Sequence, residues 1–177
     1  MEESDEDFVN SILSDFGNST IESHQHLCIA IRTTSKVIKS HNLPSSPVVY
    51  LDFTISSLEL ISNGTHPVLD NLTSPADVNH LFDVFLTILS LVIVKVPVDV
   101  VRKTRESSSE LIATVIVSPS ISESAVVDGL KCLEHLFING EDSILPSDDS
   151  PLFNVLSKFL TDSRPDFEEA LEFTIVI

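Results

Sequence analysis

Ser74-Pro75-Ala76-Asp77-Val78-Asn79-His80-Leu81-Phe82-Asp83-Val84-Phe85-Leu86-Thr87-Ile88-Leu89-Ser90-Leu91-Val92-Ile93-Val94 is the stretch on which the fold turns. Its Val and Ile content favours strands, yet the apolar pattern from Val78 to Val94 outruns a normal strand of about 5–6 residues. Ser74 places a capping hydroxyl directly before Pro75, and proline is tolerated at the first helical position because its missing N–H has no partner there. The stretch therefore predicts a helix over 75–95. The uninterrupted apolar run between Asp83 and Lys95 is shorter than the roughly 20 residues that span a bilayer, so a buried core helix is expected, with no membrane partner.

The same punctuation recurs on both sides. Ser46-Pro47 and Ser150-Pro151 repeat the serine–proline pair, and Val96-Pro97 and Arg164-Pro165 place proline at the same point without the serine. Ser122-Glu123 opens a further helix that Asn139-Gly140 stops. Nearer the N-terminus, Phe8, Ile12 and Phe16 recur at four-residue spacing beside Val9 and Leu13, and Gly17 ends that stripe. Ser19 and Thr20 are expected to cap the next helix, with Glu22 at capping-box spacing and Ile21, Leu27, Cys28, Ile31, Val37 and Ile38 buried. Eight helices result, near residues 6–16, 20–41, 47–62, 75–95, 97–117, 122–139, 150–162 and 165–177.

Most connections between these helices are short, the exceptions being 63–74 and 140–149. Short connections make neighbouring helices antiparallel hairpins. Starts at Pro47, Pro97 and Pro151 lie about 50 residues apart, near the long end of the helix-pair period of HEAT and armadillo arrays. The expected fold is all-α, a right-handed α-solenoid of antiparallel helix pairs. Val92–Val101 and Ile112–Val117 would also suit buried strands, which keeps a mixed α/β fold as the alternative.

Composition narrows function without naming it. The chain has 177 residues, 42% hydrophobic and 21% charged, enough for one domain with a core of its own. One single-domain array over 1–177 is expected, the start of a longer solenoid, behind a flexible acidic tail at 1–6. Ten Lys and Arg against 27 Asp and Glu give a net charge of −17, a body that repels phosphate backbones and anionic lipid. One Tyr and no Trp leave little to stack on bases. Two cysteines are too few for a disulfide scaffold. The acidic start, Met1-Glu2-Glu3-Ser4-Asp5-Glu6-Asp7, is unlike a secretory or transit segment, so nucleus or cytoplasm is expected and the sequons at Asn18, Asn63 and Asn71 read as chance.

Catalytic and metal signatures are sparse. His24, His26 and Cys28 invite a metal, but helix positions two apart point about 200° from each other. Asp77 and His80 share a face, as in carboxylate–histidine pairs, with no second pair to complete a site. There is no G-x-S-x-G, and the glycines are too isolated to cradle phosphate. Cys132 and His135, three residues apart, could form a dyad; as a core residue on a stripe with Val126, Gly129 and Leu136, Cys132 has the simpler reading. No enzyme and no cofactor is expected.

Two basic groups are the candidate contact residues. Arg32, Lys36 and Lys39 lie on one face in the last turns of the second helix, where complementing the helix dipole is the plain explanation. Lys95, Arg102, Lys103 and Arg105 surround Pro97. Stacked helices could merge both groups into a basic strip that meets RNA or an acidic partner. The acidic segments 2–7, 141–149 and 162–172 serve solubility and could receive basic proteins. The closing Phe173-Thr174-Ile175-Val176-Ile177 is apolar, which predicts self-association or a covering continuation.

Phe8-Val9-Asn10-Ser11-Ile12-Leu13-Ser14-Asp15-Phe16-Gly17-Asn18-Ser19-Thr20, followed by His24-Gln25-His26-Leu27-Cys28, resembles the N-terminus of plant HEAT/ARM-repeat proteins similar to ribosomal RNA-processing protein twelve. Ser118-Pro119-Ser120 and Ala125-Val126-Val127-Asp128-Gly129-Leu130-Lys131-Cys132-Leu133 look like the early repeats of the same family, so the resemblance spans about residues 8–140. It implies an α-solenoid scaffold in ribosome biogenesis, in the nucleus or nucleolus, that binds pre-ribosomal proteins or nuclear transport factors. It also implies possible RNA contact, and no catalysis.

Overall fold

A computed structural model describes residues 5–72, 74–119, 121–139 and 157. Within them the chain forms six α-helices: α1 (Asp5–Phe16), α2 (Glu22–Ser40), α3 (Pro47–Ser62), α4 (Pro75–Ile93), α5 (Val98–Ile116) and α6 (Glu123–Ile138). A short 3-10 turn, Pro67–Asn71, fills the longer connection between α3 and α4. α1 takes in Asp5 and Glu6, two residues expected in the acidic tail. There is no strand among the described residues; Val92–Val101 is the end of α4, a turn and the start of α5, and Ile112–Val117 closes α5. The helices expected over 150–162 and 165–177, and the acidic loop and apolar end around them, lie outside the described residues.

Side-chain capping explains three of the six helix starts. Ser46 Oγ accepts from the Val49 N–H at 3.4 Å, and Ser122 Oγ accepts from Ala125 at 3.2 Å. At α4 the capping box is complete: Ser74 Oγ accepts from the Asp77 N–H at 3.3 Å, and Asp77 Oδ2 accepts from the Ser74 N–H at 3.2 Å. Each such cap contributes about 1 kcal/mol. Two expected starts are displaced. Pro97 is the residue before α5 and not its first helical position. α2 begins at Glu22 behind Ile21, with no side-chain cap, so the Ser19–Glu22 box does not form. Ser19 sits outside the first turn, where its Oγ accepts from the Ile21 N–H at 3.2 Å and meets His24 Nδ1 at 2.8 Å. Ile21, expected in the core, is in consequence exposed.

The helices pair as α1 with α2, α3 with α4 and α5 with α6, and the pairs stack through α2 on α4, α4 on α6 and α3 on α5. One layer is thus α2–α4–α6; the other contains α3 and α5. Two contacts fix the direction within the first layer. Ser122 N–H donates to Asp83 Oδ1 at 3.3 Å, and Thr87 Oγ1 donates to Asp128 Oδ2 at 2.8 Å. Both registers advance together, so α4 and α6 run parallel. His26 and His80, each near the start of its helix, have ring centroids 4.9 Å apart, which puts α2 and α4 in the same sense.

α4 lies at the centre of this arrangement. Among the described residues it is the one helix long and apolar enough to cross a membrane, with mean hydropathy 1.6 over its best window. Counting only the unbroken apolar run missed that length. Here α2, α3 and α6 pack on it, and Leu86, Ile88, Leu89, Val92 and Ile93 are buried in the common core with Leu58, Val101, Ile112 and Leu133. α5 and α6 approach closely because Gly129 has no side chain; a Cβ there would collide with Ile116 Cγ2.

Candidate interaction surface

The chain direction gathers the basic residues. α2, α4 and α6 finish at the end of the array where α3 and α5 begin. Arg32, Lys36 and Lys39 occupy the second half of α2 and are exposed; Lys95 is exposed in the α4–α5 turn; Arg102 and Lys103 are exposed and Arg105 half-buried in the first half of α5. Both expected groups therefore lie toward one end of the layers. Asp99, in the first turn of α5, and Asp52, in the second turn of α3, share that end. Lys131, exposed on α6, stands apart from the group.

These cations differ in role. Lys39 sits in the last turn of α2, where a positive charge complements the helix dipole. Arg102 Nε donates to the Asn139 carbonyl at 2.9 Å, tying the start of α5 to the end of α6. That contact satisfies a carbonyl that a helix end leaves without an internal partner. Lys103, in the first half of α5, gains nothing from the dipole of its own helix.

Of the residues considered for chemistry, His26 and His80 meet, and the others are placed apart or buried. His24 turns to Ser19 and to the Phe16 ring, at 4.9 Å between centroids, whereas His26 turns to His80. Cys28 is buried. No group of three or more metal-ligating side chains occurs among the described residues. Cys132 is fully buried, and burial, then the nearby Asp128 charge, pushes its thiol far above the usual range. A thiolate nucleophile is not available there. Burial lowers the His135 pKa, partly offset by Glu134.

Sequence reading missed the polar tie between α4 and α6. Asp128 is pushed above the ordinary carboxylate value by burial, against the opposing pull of Thr87, Lys131 and Ser90. It holds Thr87, whose hydroxyl is also within 3.0 Å of the Asp83 carbonyl. The signal was present as Asp83, Thr87 and Ser90 on an otherwise apolar helix, but their partners lie some forty positions later. An open cleft of about 390 Å³ between the 3-10 turn and α4 is lined by Leu69, Leu72, Ser74, Pro75, Val78 and Asn79, with no titratable group among them.

Comparison with curated proteins and with solved structures found no match. Over residues 1–167 the chain matches the family described as RRP12-like, N-terminal HEAT repeats. With helix pairs stacked in two layers and that match covering nearly its whole length, the chain belongs to the RRP12-like HEAT-repeat family.

Proposed function

We propose that the chain is a non-catalytic protein-interaction scaffold in ribosome biogenesis, acting on small-subunit precursors in rRNA processing or export, in the nucleus and nucleolus. Membership of the RRP12-like family is the observation that carries this reading. The architecture supports it, because stacked helix pairs present an extended surface whose binding needs no catalytic cluster. The partners it suits are pre-ribosomal proteins and nuclear transport factors. The chain is read as one repeat array, residues 1–177, that a longer solenoid continues.

The test is a sucrose gradient of nuclear extract from cells expressing the tagged chain, run at two salt concentrations. Co-sedimentation with small-subunit precursors at both is the expected result. A chain that stays at the top in both overturns the reading.

One observation favours a second reading, an RNA-binding helical module. Arg32, Lys36, Lys39, Lys95, Arg102, Lys103 and Arg105 share one end of an otherwise acidic body. Co-sedimentation lost only at the higher salt, and lost on neutralising Arg102, Lys103 and Arg105, is the outcome that supports RNA.

A further inference from the structure

The basic end of the array is also its most apolar exposed edge. Leu43, in the α2–α3 connection, is 50% exposed; Val94 and Val98, flanking the α4–α5 turn, are 55% and 42% exposed; Ile138, closing α6, is 69% exposed. All four belong to the connections and helix ends that face the same way as Lys39, Lys95 and Lys103. Elsewhere the large exposed apolar side chains are only Ile21, Ile29 and Leu60, among the described residues, and of these Ile29 shares a face of α2 with Arg32 and Lys36.

We propose that this rim, built from the α2–α3 and α4–α5 turns and the end of α6, docks an acidic peptide carrying interspersed aliphatic side chains, supplied by a protein partner. The inference rests on the scaffold reading and names the chemistry of one partner. Three features support it. Val94, Lys95 and Val98 alternate apolar and basic character through a single short turn, so a peptide of alternating acidic and aliphatic residues meets both kinds of group at once. Lys103, exposed on α5 one turn after Asp99, adds a further cation to the same edge. The apolar members are all aliphatic: they can bury a Leu or Ile side chain, but offer no face for a base to stack on, which favours peptide over RNA. The surrounding net charge of −17 confines attraction of an acidic ligand to this edge.

The test is fluorescence polarisation with the purified full chain and a labelled synthetic peptide of Asp, Glu, Leu and Ile. A matched peptide in which Ser replaces Leu and Ile, and labelled oligouridylate, serve as competitors in kind. The aliphatic acidic peptide is expected to bind about tenfold more tightly than the Ser peptide, a difference of about 1.4 kcal/mol. Lys95→Gln with Lys103→Gln, and separately Val94→Ser with Val98→Ser, should each weaken it about tenfold, while Lys131→Gln leaves it unchanged. Equal affinity for the two peptides overturns the proposal, and that comparison uses the unaltered chain, so it stands even if a variant fails to fold. Binding of oligouridylate in preference to either peptide, lost in the lysine variant, overturns it in favour of RNA. Failure here leaves the gradient result untouched, and a chain that stays at the top of the gradient yet binds the peptide removes the ribosomal setting alone.

Discussion

Gly129 on α6 lies directly against Ile116 on α5, closer than any side chain would permit. Ile116 is 1% exposed and β-branched, so it has little freedom to move aside. Gly129→Ala should gain up to about 1 kcal/mol of helix propensity, but overpacking a filled core costs about 1–3 kcal/mol. The expected net effect is destabilisation by about 1 kcal/mol or more, read as a lower urea midpoint with an unchanged slope. A raised midpoint would mean that Ile116 yields.

Ser74 and Ser19 separate a working cap from an apparent one. Ser74→Ala removes one half of the α4 capping box and should cost about 1 kcal/mol. Ser19→Ala removes only contacts with the Ile21 N–H and the His24 ring, neither of them a backbone group of α2, and should stay within about 0.5 kcal/mol of the parent. Equal losses in urea unfolding would show that α2 is capped from Ser19 after all.

Ser108 is 1% exposed on α5, and its hydroxyl has no hydrogen-bond partner among the described residues. A buried hydroxyl left without a partner costs about 1–3 kcal/mol. Ser108→Ala is close in volume and better suited to a helix, so it should raise stability by about 1 kcal/mol. A loss in calorimetry or urea unfolding would reveal a partner for the hydroxyl.

Asp128 gives stability a pH dependence of defined sign. Burial raises its folded pKa above the ordinary 3.8, so across that window the folded state holds more protons than the unfolded one. Stability from this group therefore falls as pH rises from 3.8 through the raised value. Asp128→Asn keeps an oxygen for the Thr87 hydroxyl and removes the charge. The variant should be more stable than the parent at neutral pH and lose that advantage once Asp128 is protonated in both states. Urea midpoints measured from neutral to acid pH check this; a parent that gains stability with rising pH at this site contradicts it.

Cys132 should resist alkylation in the folded chain. With the thiol fully buried and its thiolate strongly disfavoured, iodoacetamide labelling is expected to follow unfolding and to accelerate in urea. Fast stoichiometric labelling without denaturant would reinstate a reactive cysteine beside His135.

Much of the fold was legible because its signals are local. Ser46, Ser74 and Ser122 each stand at a helix start where a hydroxyl can reach an N–H three residues on, and that geometry depends on nothing distant. The start of α2 was misread for the converse reason: Ser19 has the right residue type, but its hydroxyl turns to His24, a choice set by how the chain leaves α1 at Gly17. The seven candidate cations could be named from sequence, yet not their difference in role. That Arg102 holds the Asn139 carbonyl depends on α5 and α6 lying side by side.

The sequence by itself determined the six described helices and their approximate ends, since periodicity, caps and proline positions act within one turn of the chain. It also carried the family resemblance, because the buried pattern of the repeats is written in residue order. Only the tertiary structure decided which ends of the helices meet. Parallel stacking of α2, α4 and α6 brings Lys39, Lys95 and Ile138 to one edge although about a hundred positions separate the first from the last. The same stacking sets Asp128 against Thr87 and Gly129 against Ile116, contacts fixed by close packing between helices, which no local propensity encodes.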